Sequence, residues 1–168
     1  MVEGNLKRRR SFETGHRPKY LVIADETPEF EKALYFAARR SVRNHASVLL
    51  LTVIQPDAQQ EWLDVGDLMQ AEAEANALAF LEKAAARVKE IAGETPEYVI
   101  RTGVKIDEIS ALITEDDDIS VLVLASGTGS DGPGPLISLL AGKTGLPFSV
   151  PVTIVPGHLS DADIAAMS

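Results

Sequence analysis

Residues 124–146, LASGTGSDGPGPLISLLAGKTGL, follow an apolar run and carry glycines at 127, 129, 132 and 134, four within eight residues. Glycine admits positive φ and keeps a Cβ out of the way, so successive backbone N–H groups in such a loop can converge on phosphate. Pro135 suits the first turn of a following helix, whose N-terminus adds unpaired donors. Gly142 allows close packing against the same anion, and Lys143 or the Thr144 hydroxyl offers a further donor. The Gly142-Lys143-Thr144 triplet is not a P-loop, because that motif needs a glycine five places earlier and Ile137 stands there. Taken alone, the residues leave two readings open: an anion cradle, or a mobile turn whose glycines spare the chain a strained connection. Asp131 inside the stretch repels phosphate unless it turns outward or holds a metal ion.

Other chemistry is sparse. His16, His45 and His158 show no metal-ligand spacing, and the acidic run at 115–118 lacks the interrupting glycine and spaced oxygens of a calcium loop. No nucleophile–base pair emerges, so catalysis is expected to be slow or absent. The chain has no cysteine, which removes disulfides, zinc–thiolate sites and thiol nucleophiles together and fits a reducing compartment. A net charge of -9 disfavours nucleic acid and anionic membranes as partners. Neither a secretory signal nor an apolar run long enough to span a bilayer is present, which makes the cytoplasm the simplest address.

These residues need elements to position them. At 168 residues and 45% hydrophobic content the chain suits one domain with one core. Residues 1–17, with a basic cluster at 7–10 and few core formers, read as a flexible leader, solvated or partner-docking. From Lys19 strands and helices alternate. KYLVIAD (19–25) is a buried strand closed by Asp25. The next helix takes Thr27 as N-cap and Pro28 at its first position, with Phe30, Leu34, Ala37, Ala38 and Val42 along one face. SVLLLTVI (47–54) is the second strand. A helix from about Asp67 to Ala92 follows, with a stripe of Leu68, Ala71, Ala75, Leu78, Leu81, Ala85, Val88 and Ile91. PEYVIRTG (96–103), a helix bearing Ile106, Ile109, Leu112 and Ile113, ISVLVLAS (119–126), a short helix through 136–141, and SVPVTIVP (149–156) complete the pattern. Residues 158–168 form a C-terminal tail able to add a helical turn. Such alternation predicts an α/β fold, a doubly wound five-stranded parallel sheet with helices on both faces. Order 3-2-1-4-5 would put a ligand crevice beyond the ends of strands one and four, between Asp25 and residues 125–134.

The chain resembles the universal stress protein family over roughly residues 18–157. The family's pattern of glycine, two residues, glycine, nine residues and glycine is matched by Gly129, Gly132 and Gly142, its strand-one aspartate by Asp25, and its strand-two valine by Val53. Lys143 stands where the family has Ser or Thr, Thr144 comes one place late, and the loop is about two residues longer. The resemblance implies an adenine nucleotide, ATP with Mg²⁺ in first place. Asp25 would meet ribose hydroxyls or a phosphate-bridging cation, the Val53 backbone an adenine edge, and Gly127, Gly129, Gly132, Gly134, Gly142, Lys143 and Thr144 the phosphates. Asp25 also has a plainer reading, an acid favoured by the dipole of the helix that follows. The family further implies a homodimer through the last strand. The expected role is a regulatory or stress-response module. The alternatives are a nucleotide-free dimeric scaffold of the same fold and a slow nucleotide hydrolase.

Overall fold

The computed structural model describes residues 8–56, 65–130, 132–142 and 146–168. Ten elements alternate: β1 (Lys19–Ile23), α1 (Phe30–Arg43), β2 (Ser47–Ile54), α2 (Val65–Ala92), β3 (Glu97–Thr102), α3 (Lys105–Glu115), β4 (Ile119–Ser126), α4 (Pro135–Leu140), β5 (Val152–Pro156) and α5 (Asp161–Met167). The five strands are parallel in the order β3-β2-β1-β4-β5, as the alternation predicts.

Both faces of the sheet are covered, which explains why the central strands read as unbroken apolar runs. Successive side chains in a strand point to opposite faces. Val22, Leu50 and Val123 therefore pack with Leu34 and Ala37 of α1, Leu81 and Val88 of α2, and Ile164 of α5. Their neighbours Leu21, Ile23, Leu49, Leu51 and Leu122 pack on the other face with Ile109, Leu112 and Ile113 of α3. Each fully buried leucine in these layers stabilises the fold by about 1.5–3 kcal/mol relative to an exposed one.

Several local expectations are corrected. The first helix starts at Phe30 with Glu29 at its N-cap, so neither Thr27 nor Pro28 holds the position expected of it. The Thr27 carbonyl accepts from the Phe30 N–H at 3.2 Å, and its hydroxyl turns back to Asp25. Val42 is exposed, and Ala33 and Ser41 complete the buried face in its place. On α2, Leu68 and Leu78 are exposed and Ala71 and Ala75 also face outward; Ala77, Leu81, Ala84, Ala85 and Val88 are buried. The stripe holds for Leu81, Ala85 and Val88 and fails over the first half of the helix, where alanine on every face blurs the 3.6-residue periodicity. The last strand begins at Val152, three residues after the expected start, although Phe148 and Val150 are already buried.

The two ends of the chain are more engaged than their composition implies. Residues 158–168 include α5, opened by a reciprocal cap between Ser160 and Asp163, with Ile164 fully buried against the core. The first seven residues lie outside the described ones. From Arg9 onward the expected leader lies against the domain. The Arg9 guanidinium donates to the carbonyls of Ile113 at 2.5 Å and Asp116 at 3.1 Å, satisfying the end of α3. Ser11 is buried, His16 Nδ1 lies 2.7 Å from Asp118 Oδ1, and Arg17 donates to the carbonyls of His45 and Ala46. Beside this strap, Lys19 pairs with Asp116 at 2.8 Å and Glu97 at 3.1 Å. Burial opposes the charge on its amine, but hydrogen bonds to the two carboxylates outweigh that effect and raise its pKa above the ordinary 10.5.

Two outcomes follow from these contacts. Deleting residues 1–17 should lower the melting temperature by about 5 °C in calorimetry, the equivalent of a few net hydrogen bonds; a change under about 2 °C would show that the strap contributes nothing. A raised amine pKa stabilises the fold below pH 10.5, and that contribution is lost as pH rises through the folded-state value. The gap in urea midpoint between wild type and Lys19→Met should therefore narrow as pH rises above 10.5.

Candidate functional site

β1 and β4 are neighbours, yet their connections leave toward opposite faces of the sheet. α1 belongs to one core layer, and Leu136, Ile137 and Leu140 of α4 pack on the other. Separation of the two connections opens a crevice beyond the carboxyl ends of the strands. It contains two adjoining cavities. The larger, about 410 Å³, is lined by Asp25, Thr27 and Glu29 from the β1–α1 turn, Gly127, Gly129, Gly132 and Gly134 from the β4–α4 loop, and Lys105. The smaller, about 290 Å³, is lined by Thr52, Val53 and Ile54 from the end of β2, by Asn76 and Phe80 of α2, by Glu26, and by three residues shared with the first: Ile23, Asp25 and Lys105.

Asp25 sits at the junction. Its Oδ1 accepts from the Thr27 N–H at 3.2 Å and from the Thr27 hydroxyl at 2.5 Å, a local turn that fixes the carboxylate. Nearby, the Thr52 hydroxyl donates to the Ala24 carbonyl at 3.0 Å and the Gly103 N–H to the Ile54 carbonyl at 2.9 Å. These bonds hold the ends of β1, β2 and β3 in register where the smaller cavity opens.

The glycines of the β4–α4 loop serve different needs. Gly127 donates to the Pro133 carbonyl at 3.0 Å, and a Cβ there would lie 2.7 Å from the Gly132 carbonyl oxygen, so close backbone approach requires glycine. Gly132 and Gly134 adopt φ of +83° and +109°, where an L side chain is strained, and a Cβ on either would meet open space. Gly129 likewise faces open space. The loop is thus folded upon itself at Gly127, and the Gly132 N–H turns back to the Gly129 carbonyl at 3.2 Å, while the N–H groups of Gly129 and Gly134 have no partner among the described residues.

Of the residues expected at the site, the structure brings together Asp25, Gly127, Gly129, Gly132 and Gly134, with Val53 in the adjoining cavity. Gly142 lies elsewhere. Its N–H donates to the Leu139 carbonyl at 3.1 Å beyond the end of α4, and it lines neither cavity. Asp131, Lys143 and Thr144 lie outside the described residues.

Three charged residues were not anticipated: Glu26, which lines the smaller cavity, Glu29 and Lys105. Glu29, at the N-cap of α1, reaches across toward the loop. A Cβ on Gly157 would lie 2.9 Å from its Cγ and 2.2 Å from the Ser126 carbonyl oxygen, so Gly157 is what lets β5's exit, β4's end and Glu29 meet. Its signal in the sequence was an acid immediately before the periodic apolar face. Lys105 opens α3, and nothing in its sequence neighbourhood points to Asp25, eighty residues earlier; only the adjacency of β3, β2 and β1 does. Chemically, the crevice offers loop backbone, three carboxylates and one amine around a space large enough for a small ligand.

Among solved structures, the chain is similar in fold to universal stress protein UspA from Lactobacillus plantarum, with a TM-score of 0.66 and 18% identity over 82% of this chain and 97% of that one. A universal stress protein in complex with cAMP aligns with a TM-score of 0.59 and 17% identity, covering 82% and 96%. A protein of the same family from Burkholderia pseudomallei gives 0.60 and 18%, covering 82% and 95%. No curated protein matches the chain. Residues 17–156 match the family model, and the chain belongs to the universal stress protein family.

Proposed function

We propose that this protein binds an adenine nucleotide in the two-part crevice and acts as a nucleotide-responsive regulatory module. The observation that carries this reading is the juxtaposition of the self-closed glycine loop and Asp25 around one 410 Å³ cavity that continues into a second, beside Val53. The base would occupy the smaller cavity against Phe80 and the backbone of Val53. The ribose would pass Asp25, and the phosphates would reach the backbone N–H groups of Gly129, Ser130 and Gly134, since the Gly132 N–H is bonded to the Gly129 carbonyl at 3.2 Å and Pro133 has none. A relative in the same family has been solved with cAMP, which supports the ligand class.

Charge sets a condition on the ligand. Asp25 and Glu29 both line the larger cavity, so a polyphosphate meets two carboxylates and one amine there. ATP would enter as its Mg²⁺ complex, with the cation offsetting the like charges, whereas a monophosphate needs no such help. A homodimer through β5 accompanies this reading. β5 is an edge strand whose Ile154 is 42% exposed, and an apolar edge left open is a template for a second chain.

Calorimetry tests the nucleotide reading. Wild type should bind AMP, and ATP more tightly with Mg²⁺ than without. Gly132→Val should abolish binding while the protein stays folded, because a β-branched residue resists positive φ and projects into the cavity. Absence of binding to any adenine nucleotide at millimolar concentration would favour a nucleotide-free scaffold. The dimer has its own test: Ile154→Lys should yield monomer in sedimentation, and an unchanged coefficient for a wild type shown to be dimeric would exclude this edge.

A further inference from the structure

We infer that Lys105 is the cation that recognises the phosphate nearest the ribose, which makes the preferred ligand class a nucleoside 5′-phosphate rather than a nucleoside. The inference rests on the nucleotide reading above. Three observations carry it. Lys105 is the one cationic side chain among the described residues lining either cavity, and it lines both. With Ile23 and Asp25 it forms the passage between them, so a ligand spanning base cavity and glycine loop must run between a carboxylate and an amine. Carboxylate oxygens accept and an ammonium only donates, so the two sort a ribose hydroxyl from a phosphate oxygen.

Thirdly, Lys105 has no ion-pair partner among the described residues. Other cations are paired, Lys19 with Asp116 and Glu97, Arg17 with Glu94, Lys32 with Asp161, Arg87 with Glu90, and Arg101 with Glu108 and Glu115, whereas Lys83 and Lys89, unpaired among the described residues, line neither cavity. Glu108 stands one turn beyond Lys105 on α3, but the same ion pair draws it toward Arg101 at 3.9 Å. The backbone explains the amine's location. Gly103, tied to Ile54 at the end of β2, ends β3 with φ +153°, and α3 begins two residues later beside the strand that carries Val53.

Titration calorimetry with AMP and adenosine, on wild type, Lys105→Ala, Lys105→Arg and Lys143→Ala, tests this role. Lys105→Ala should weaken AMP about tenfold, the scale of one charge-assisted hydrogen bond, and change adenosine by less than about twofold. It should also flatten the salt dependence of AMP binding, a readout that a merely structural role would not move. Lys105→Arg, which keeps the charge, should retain AMP affinity within about threefold. Equal losses for AMP and adenosine, no loss for AMP, or a loss confined to Lys143→Ala would each overturn the assignment while leaving nucleotide binding in place. If wild type binds neither compound at millimolar concentration, the nucleotide reading itself falls, and the role of Lys105 falls with it.

Discussion

Everything at the crevice depends on one pairing, that of β1 with β4. These strands exchange backbone hydrogen bonds from Lys19 to Val22, yet the chain that leaves β1 turns to one face and the chain that leaves β4 turns to the other. No connection can cover the gap left above them. Sequence distance is then irrelevant: Asp25 and Gly127, a hundred residues apart, come to line one cavity because their strands are neighbours. The packed layers beneath make that proximity rigid, since Val22 and Val123 are sealed on one side and Leu21 and Leu122 on the other.

The architecture was legible because parallel strands buried on both faces leave a signal of their own: continuous apolar runs such as LVI and VLLL between helical periodicities. What blurred the local reading were places where two physical signals compete. Thr27 and Pro28 are good cap residues by type, but the Thr27 hydroxyl is drawn to Asp25 and the helix waits until Phe30. In α2 the abundance of alanine led the stripe astray in the first half, from Leu68 to Leu78, whereas Leu81, Ala85 and Val88 are buried as expected. The strap from Arg9 to Arg17 looked contact-poor because its contacts are made by arginine and histidine to backbone carbonyls and a carboxylate, not by core-forming residues.

The site was half legible for a related reason. Residues within one loop announce themselves by spacing, and the glycines did. Residues delivered by other loops do not, and Glu29 and Lys105 became visible only with the topology. Gly142 shows the converse. It fits the family's spacing, but in this chain it follows the end of α4 and turns to Leu139 instead of the cavity.

The glycines themselves separate stability from ligand access. Gly127 and Gly157 are required because backbone or side-chain atoms already fill the space a Cβ would need, so they fasten the ends of β4 and β5 to Glu29 and to the loop. Gly132 and Gly134 are required by positive φ while facing open space, so they shape the loop without packing anything. The first pair holds the crevice's rim in place, and the second sets the course of the loop, with the Gly132 N–H turned back to the Gly129 carbonyl at 3.2 Å. Gly127, Gly132 and Gly134 line the larger cavity, whose charge is set by Asp25, Glu29 and Lys105.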